Sequence, residues 1–156
     1  MLRTYRKNLP HWRLEGCTYF LTWCLDLGQS PLTESERSLV RDALRFANGR
    51  NFDLLAFVVM DDHVHVVLTP AEGILLEKIV HSWRSYTTNR LQRVSGRVGR
   101  VWQHDYFDHI VRHDRELAEL IDYTLANPWK RWPSLGSYEW VWAKGVWSAA
   151  DQAAVL

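Results

Sequence analysis

The chain has 156 residues, 47 % of them apolar, which fits one globular domain with a sizeable core and argues against a disordered or multidomain protein. With 19 basic and 18 acidic residues the net charge is +1, so overall charge alone indicates no polyanionic partner. No apolar run resembles a signal peptide or approaches the ~18 residues of a membrane span, so we expect a cytoplasmic protein without a membrane partner. Cys17 and Cys24 would lie on opposite faces of one strand, so no disulfide is expected.

The basic residues are unevenly distributed along the chain. Residues 78–103 contain six Lys or Arg and no Asp or Glu, and residues 1–14 form a second acid-free segment with four. These two segments hold ten of the nineteen basic residues, so the positive potential is patchy.

The first part of the chain predicts a strand followed by a helix. Residues 17–25 are rich in β-branched and aromatic side chains and precede a turn. Thr33 and Glu36 have the spacing of a capping box, and apolar residues then recur at helical spacing until Asn48-Gly49.

The middle of the chain predicts a hairpin and a second helix. Residues 52–60 and 63–68 have the composition of strands, and Asp61-Asp62 between them suits a two-residue turn. Apolar residues from position 76 to 94 mark an amphipathic helix that ends at Ser95-Gly96.

The last part predicts a strand over 106–111 and a third helix. Asp114 can cap this helix and Pro128 ends it, because the residue before a proline avoids helical dihedral angles. The tail over 129–156 is rich in Trp and is expected to be irregular.

The order strand, helix, strand, strand, helix, strand, helix predicts an α+β fold. It corresponds to a ferredoxin-like split β-α-β core, an antiparallel sheet with helices on one face, plus an additional C-terminal helix. We expect one domain over 1–156. Because this fold hosts many functions, the function has to be inferred from particular side chains.

His63 and His65 are one residue apart in a predicted strand, so both project from the same face with Cα atoms roughly 6.6 Å apart. Two imidazoles placed in this way can share one divalent metal ion. The alternative interpretation is that they are ordinary half-buried strand histidines.

Tyr123 and Asn127 are four residues apart in the last predicted helix, so both project from one side, at the flank of its apolar stripe. Such a tyrosine would border the core with its hydroxyl accessible. The alternative is that Tyr123 is only a margin residue of the core and that Asn127 caps the helix end before Pro128.

These four residues together describe a candidate site. His63, His65 and the amide oxygen of Asn127 would hold a divalent ion, which would polarise a phosphodiester as a Lewis acid. Tyr123 would attack the phosphorus, helped by the metal or by a nearby base, because a free phenol is largely protonated at neutral pH.

The acid-free segment interleaves basic and aromatic side chains. This mixture suits single-stranded nucleic acid, because phosphates attract cations and unstacked bases stack on flat rings; a solvated basic helix face is the alternative. His109 and Arg112 are further candidates, on a strand that would share the sheet with the histidines. The side chains expected to contact nucleic acid are Arg84, Arg90, Arg93, Arg97, Arg100, Trp102, His109 and Arg112.

Three ordered motifs resemble the HUH single-tyrosine transposases, and most of all their bacterial REP-associated tyrosine transposase branch. Residues 60–67, MDDHVHVV, resemble the family's two-histidine strand, and residues 102–112 resemble its Trp-Gln segment. Residues 121–128, IDYTLANP, resemble its tyrosine helix, which ends in an Asn-Pro pair. The chain departs from the family's pattern after Pro128, where the bulky Trp129 and Trp132 follow.

The resemblance implies that His63 and His65 bind Mg²⁺ or Mn²⁺, that Asn127 is a third ligand and that Tyr123, on a catalytic helix, is the covalent nucleophile. It implies cleavage of single-stranded DNA to a 5′-phosphotyrosine and a free 3′-hydroxyl, with rejoining by reversal. The expected substrates are short palindromic hairpins with a guide sequence at their foot. The expected location is the nucleoid, and no small-molecule cofactor is expected. Whether the protein forms a homodimer is left undecided by the sequence.

Two other functions stay open at this point. A non-catalytic single-stranded nucleic-acid-binding or regulatory protein on the same fold would bind in a salt-dependent way without cleavage. A metal phosphodiesterase that activates water would cleave without a covalent tyrosine product. Tyr106 and Tyr86 are rival phenols, but only Tyr123 is followed by Asn at the fourth position.

Overall fold

The computed structural model describes residues 16–145, so the basic segment 1–14 lies outside the described residues. It shows one antiparallel sheet of five strands in the order β4-β1-β3-β2-β5. No helix in the described range is long and apolar enough to cross a membrane. The elements are β1 (Tyr19–Cys24), α1 (Glu34–Arg45), β2 (Phe52–Val59), β3 (His63–Pro70), α2 (Leu76–Ser95), β4 (Phe107–Ile110), α3 (Asp114–Arg131) and β5 (Val141–Ala143).

The four strands β4-β1-β3-β2 confirm the predicted ferredoxin-like core. The short strand β5 adds to the free edge of β2, in a tail that was expected to be irregular. Three residues are too few to show a strand period, and β5 is fixed by contacts beyond the strand itself. The buried hydroxyl of Tyr138 donates to the carbonyl of Val59, and the amide of Val59 donates to the carbonyl of Trp140.

The helices cover both faces of the sheet. On one face, which also carries α1, Trp23 of β1 stacks on Trp83 of α2, with ring centroids 5.8 Å apart. On the other face, Phe20 of β1 contacts Tyr123 of α3, with centroids 6.1 Å apart. The prediction of helices on one face therefore holds for α1 and α2, whereas the additional helix α3 is the one described helix on the opposite face.

Helix ends are set by local contacts. The predicted capping box of α1 is present, with Thr33 and Glu36 each bonded to the other's backbone N–H. Helix α2 ends as predicted at Gly96, whose φ of 70° is favourable only for a residue without a side chain. Helix α3 is capped one residue earlier than predicted, because the His113 ring rather than Asp114 accepts from the backbone of Glu116.

Arg97, a predicted nucleic-acid contact, is instead part of the fold. Its guanidinium donates to both carboxylate oxygens of Glu36 at 2.7 Å, and to the carbonyls of Ser30 and Pro31. Both side chains are at least 92 % buried. The pair joins the end of α2 to the start of α1, so we no longer include Arg97 among the proposed DNA contacts.

Replacing Arg97 by Met is expected to lower the free energy of unfolding by roughly 3 to 5 kcal/mol at pH 7, because it leaves the buried Glu36 carboxylate unpaired. The hydrogen bond from Arg97 lowers the pKa of Glu36 from its usual 4.5 to about 2. The wild type therefore has this extra stability above pH 4.5 and loses it as the pH falls towards 2. The difference in the free energy of unfolding between wild type and variant should narrow over that range. Urea unfolding at several pH values measures both effects.

The control for this prediction is Arg41→Met, which removes an ion pair with the exposed Asp42. Pairs of this kind contribute little, about 0 to 1 kcal/mol. An equal loss of stability in the two variants would contradict the role assigned to Arg97.

Candidate active site

The two histidines of β3 lie together on the face that α3 covers. Their ring centroids are 4.7 Å apart, and each is held in register by β1, since His65 lies opposite Thr22 and His63 opposite Cys24. His65 is buried at 4 % exposure, whereas the His63 side chain is 21 % exposed. One ring is therefore fixed within the core while the other reaches the surface.

Each histidine uses its Nδ1 atom for a contact with the protein. Nδ1 of His65 lies 2.7 Å from the hydroxyl of Thr22, and Nδ1 of His63 lies 2.7 Å from Oδ1 of Asp62. Because a carboxylate only accepts hydrogen bonds, Nδ1–H of His63 donates this bond, which leaves Nε2 for a further contact. Hydrogen bonds of this kind are typical of metal-binding histidines, whose second nitrogen is oriented by a neighbour.

The charge state of His65 also suits metal binding. Burial, with a smaller contribution from His63, lowers the pKa of His65 to about 3, so this imidazole is neutral at physiological pH. Burial opposes ionisation of Asp62, but contacts with His63 and Arg131 hold the pKa of this carboxyl below its usual value. A neutral imidazole is the form that binds metals.

Tyr123 lies against the histidine pair. Its ring meets that of His65 edge-on at a centroid distance of 5.4 Å, and it also contacts Phe20 of β1. The side chain is 36 % exposed, and no described residue shares a hydrogen bond with its hydroxyl. The structure thus brings together the phenol and the two imidazoles that were predicted to form one site.

Asn127 lies one helical turn beyond Tyr123, in the interior of α3. We predicted that Pro128 ends this helix, with Asn127 as its cap in one alternative. Both expectations are wrong, because α3 continues to Arg131. Pro128 only removes the hydrogen bond to the carbonyl of Thr124. The following turn is held by tertiary packing, in which Trp129 is buried and its ring nitrogen donates to the carbonyl of Leu135.

Among residues 16–145, no three His, Cys, Asp or Glu side chains come together as a metal cluster. A divalent ion at the histidine pair would therefore take its further protein ligand from another residue type, and the amide oxygen of Asn127 has the chemistry for it. The two imidazoles, each with Nδ1 already bonded, fit such an ion.

Charged contacts anchor α3 at both ends. Near its start, Nε2 of His109 lies 2.7 Å from the carboxylate of Glu116. At its end, the Arg131 guanidinium lies 3.1 Å from Asp61 and 3.6 Å from Asp62, the residues of the turn that precedes His63. Asp62 thus contacts both His63 and Arg131, and connects the end of the tyrosine helix to the histidine strand.

Sequence reasoning placed Asp61 and Asp62 in a turn, in which Asp62 also contacts His63. It missed Arg131, because no local pattern connects an arginine to a turn about 70 residues earlier. It also missed the pairing of His109 with Glu116, which occupies a ring nitrogen that was expected to contact DNA.

The predicted DNA contacts of α2 lie on the opposite face of the sheet from Tyr123. Arg90 and Arg93 are exposed, while Arg84 donates to the carbonyl of Gln103 and lies over the Tyr106 ring. Arg84 and Arg100 line one groove of about 490 Å³. The structure therefore places Arg84 and Arg100 together, but not beside the histidines.

The loop between α2 and β4 approaches the histidine end of the sheet. The amide of Gln103 donates to the carbonyl of Cys24, which lies opposite His63. Trp102, predicted to contact DNA, is 3 % exposed and its ring nitrogen donates to Thr87, so it stabilises the core instead. Arg112 is exposed just before α3.

The rival phenols are placed elsewhere. Tyr106 lies against Arg84 of α2, and Tyr86 is exposed on the outer side of that helix. In the described part of the chain, Tyr123 is the tyrosine whose ring contacts a histidine of the pair.

The chain is similar to known transposases in sequence and in structure. The family model described as "Transposase IS200 like" matches residues 14–124. A REP-associated tyrosine transposase of Escherichia coli K12 is 26 % identical over 118 residues, which cover 75 % of this chain and 69 % of that protein. A protein of Haemophilus influenzae Rd is 25 % identical over 144 residues, which cover 83 % and 77 %.

A solved structure of a REP-associated tyrosine transposase bound to a REP hairpin has the same fold. It superposes with a TM-score of 0.66 at 21 % identity, covering 92 % of this chain and 96 % of that one. These matches confirm the resemblance inferred from the three motifs. The chain therefore belongs to the IS200-like transposase family and is an enzyme of the tyrosine transposase class.

Proposed function

We propose that this protein cleaves and rejoins single-stranded DNA at the foot of short palindromic hairpins, through a 5′-phosphotyrosine on Tyr123. The contact between the Tyr123 ring and His65, beside His63, carries this proposal. The description of the structural neighbour, a REP-associated tyrosine transposase bound to a REP hairpin, supports the choice of substrate. Hairpins of this kind would be met on nucleoid DNA.

In the proposed reaction, His63, His65 and Asn127 hold Mg²⁺ or Mn²⁺, which supplies Lewis-acid polarisation of the scissile phosphate. The hydroxyl of Tyr123 attacks the phosphorus and loses its proton, while the upstream 3′-oxygen leaves and becomes a free 3′-hydroxyl. Attack of a 3′-hydroxyl on the phosphotyrosine rejoins DNA by the reverse step. Arg131 acts as a positioning residue, because its pairing with Asp62 ties the tyrosine helix to the histidine strand.

The phosphate backbone of the hairpin would be bound by arginines outside the site. Arg84 and Arg100 line the groove beside α2, Arg90 lines a second groove between α1 and α2, and Arg93 is exposed near the end of α2. Arg112 would contact DNA on the side of α3. We leave out Arg97, Trp102 and His109, whose polar atoms are used within the fold.

One subunit supplies both the phenol and the imidazoles, so we propose that a single chain carries a complete site. A homodimer would then be unnecessary for cleavage. If the rate of adduct formation per subunit stays constant on dilution, a site within one chain is supported; a rate that falls with concentration would favour a site shared between two subunits.

The substrate of the deciding experiment is a hairpin with a single-stranded foot, labelled at either its 5′ or its 3′ end. It is incubated with the protein, with and without Mn²⁺, and the products are resolved on a denaturing gel. A 3′ label that stays attached to the protein, together with a 5′ label released on the upstream fragment, supports the proposal. Cleaved DNA without attached protein would favour an activated-water phosphodiesterase. Binding without cleavage would favour the non-catalytic nucleic-acid-binding or regulatory protein, whose affinity should fall steeply with salt.

A further inference from the structure

Lys130 lies over the ring of the proposed nucleophile. Its ammonium nitrogen is 4.9 Å from the centroid of the Tyr123 ring. The two residues are seven positions apart on α3, about two turns, and so project from the same side of the helix. Because the lysine stem is flexible, its ammonium can reach a phosphate bonded to the tyrosine oxygen without movement of the backbone.

Lys130 has no ion-pair partner among residues 16–145, and it is exposed. Its neighbour Arg131 is different, because both Asp61 and Asp62 pair with it. Two adjacent basic residues therefore have separate environments. Arg131 is used by the fold to fix the helix end, while the charge of Lys130 is available beside the phenol.

We propose that Lys130 is a catalytic residue that binds a non-bridging oxygen of the scissile phosphate and keeps this contact in the phosphotyrosine intermediate. This inference rests on the proposed function. In the step it assists, the bond from Tyr123 Oη to phosphorus forms and the bond from phosphorus to the 3′-oxygen breaks. The phenol proton passes to solvent, and the 3′-oxygen takes one up. The ammonium offsets the negative charge of the phosphate oxygens as this exchange proceeds.

The test measures single-turnover adduct formation by the full-length chain on a labelled hairpin with Mn²⁺. Lys130→Met keeps an unbranched side chain one atom shorter and removes its charge, while Lys130→Arg keeps the charge. Lys144→Met is the matched control, at an exposed lysine that pairs with Asp53 on the edge of the sheet. We expect the rate of Lys130→Met to fall roughly 10- to 100-fold, and those of the other two variants to stay within about threefold of the wild type.

A structural role is separated from a catalytic one by a second substrate, in which the scissile phosphate is a neutral methylphosphonate. On this neutral substrate, wild type and Lys130→Met should form the adduct at equal rates. The two proteins should also have the same hairpin affinity and the same melting temperature. Equal rates on the ordinary phosphodiester, or the same deficit on both substrates, would overturn the role of Lys130. A wild type that forms no adduct would refute the proposed function instead.

Discussion

Replacing Tyr123 by Phe is expected to abolish the covalent adduct with hairpin DNA, a loss of at least about 10³-fold, because the variant lacks the oxygen that would bond to phosphorus. The ring itself remains, so the contacts with Phe20 and His65 are retained. Hairpin affinity and thermal stability should therefore match those of the wild type. A labelled hairpin on a denaturing gel measures the adduct, and a filter-binding titration measures the affinity.

Tyr86→Phe provides the matched control, since Tyr86 is 53 % exposed on the outer side of α2. It should form adducts at the wild-type rate. Adducts that persist in Tyr123→Phe would show that another tyrosine is the nucleophile, and Tyr106→Phe would then be examined next. Loss of hairpin binding together with the adduct would instead mean that Tyr123 contributes to recognition of the DNA.

The features that could be predicted from the sequence are those determined by neighbouring residues. The capping box of Thr33 and Glu36 and the left-handed Gly96 are local signals, and both helix ends lie where they were expected. The one-residue separation of His63 and His65 likewise puts both rings on one face of any strand. The phenol was placed beside them by the resemblance and by helical spacing, and the contact of Tyr123 with His65 agrees with that expectation.

The features that could not be predicted depend on residues far apart in the chain. Glu36 and Arg97 are 61 residues apart, so no local pattern indicates that this arginine of the basic segment pairs with a buried carboxylate. The continuation of α3 past Pro128 depends on the burial of Trp129, which a helix propensity does not include. The strand β5 depends on an edge of β2 that only the assembled sheet provides.

The separation of positive charge from the histidines is a further result that composition could not supply. A basic segment predicts contact with nucleic acid, but only the topology shows that α2 and α3 lie on opposite faces of the sheet. If the arginines of α2 bind the hairpin and Tyr123 cuts its foot, the DNA has to pass around the edge or the end of the sheet. The loop from Arg97 to Gln103, which reaches the histidine end, is the segment of the fold that connects the two regions.

Replacing His63 by Ala is expected to lower the rate of Mn²⁺-dependent adduct formation by about 100-fold or more, because it removes one of the two imidazoles that we propose as metal ligands. His63 is the better choice of the pair for a first experiment. Its side chain is 21 % exposed, whereas His65 is buried against Phe20 and bonded to Thr22, so an alanine at position 65 would also cost stability. A calorimetric titration with Mn²⁺ should show a matching loss of metal affinity in His63→Ala.

The control is His104→Ala, which removes an imidazole that is 74 % exposed and contacts only Asp105 among the described residues. It should leave metal affinity and cleavage at wild-type values. His65→Asn, checked by its melting temperature, tests the buried ring and should show the same losses of adduct formation and of Mn²⁺ affinity as His63→Ala. Because both rings already have Nδ1 bonded, metal affinity should depend on the two free Nε2 atoms together. Cleavage that continues without added metal, or Mn²⁺ binding that is unaffected by either substitution, would remove the histidine pair from the proposed mechanism.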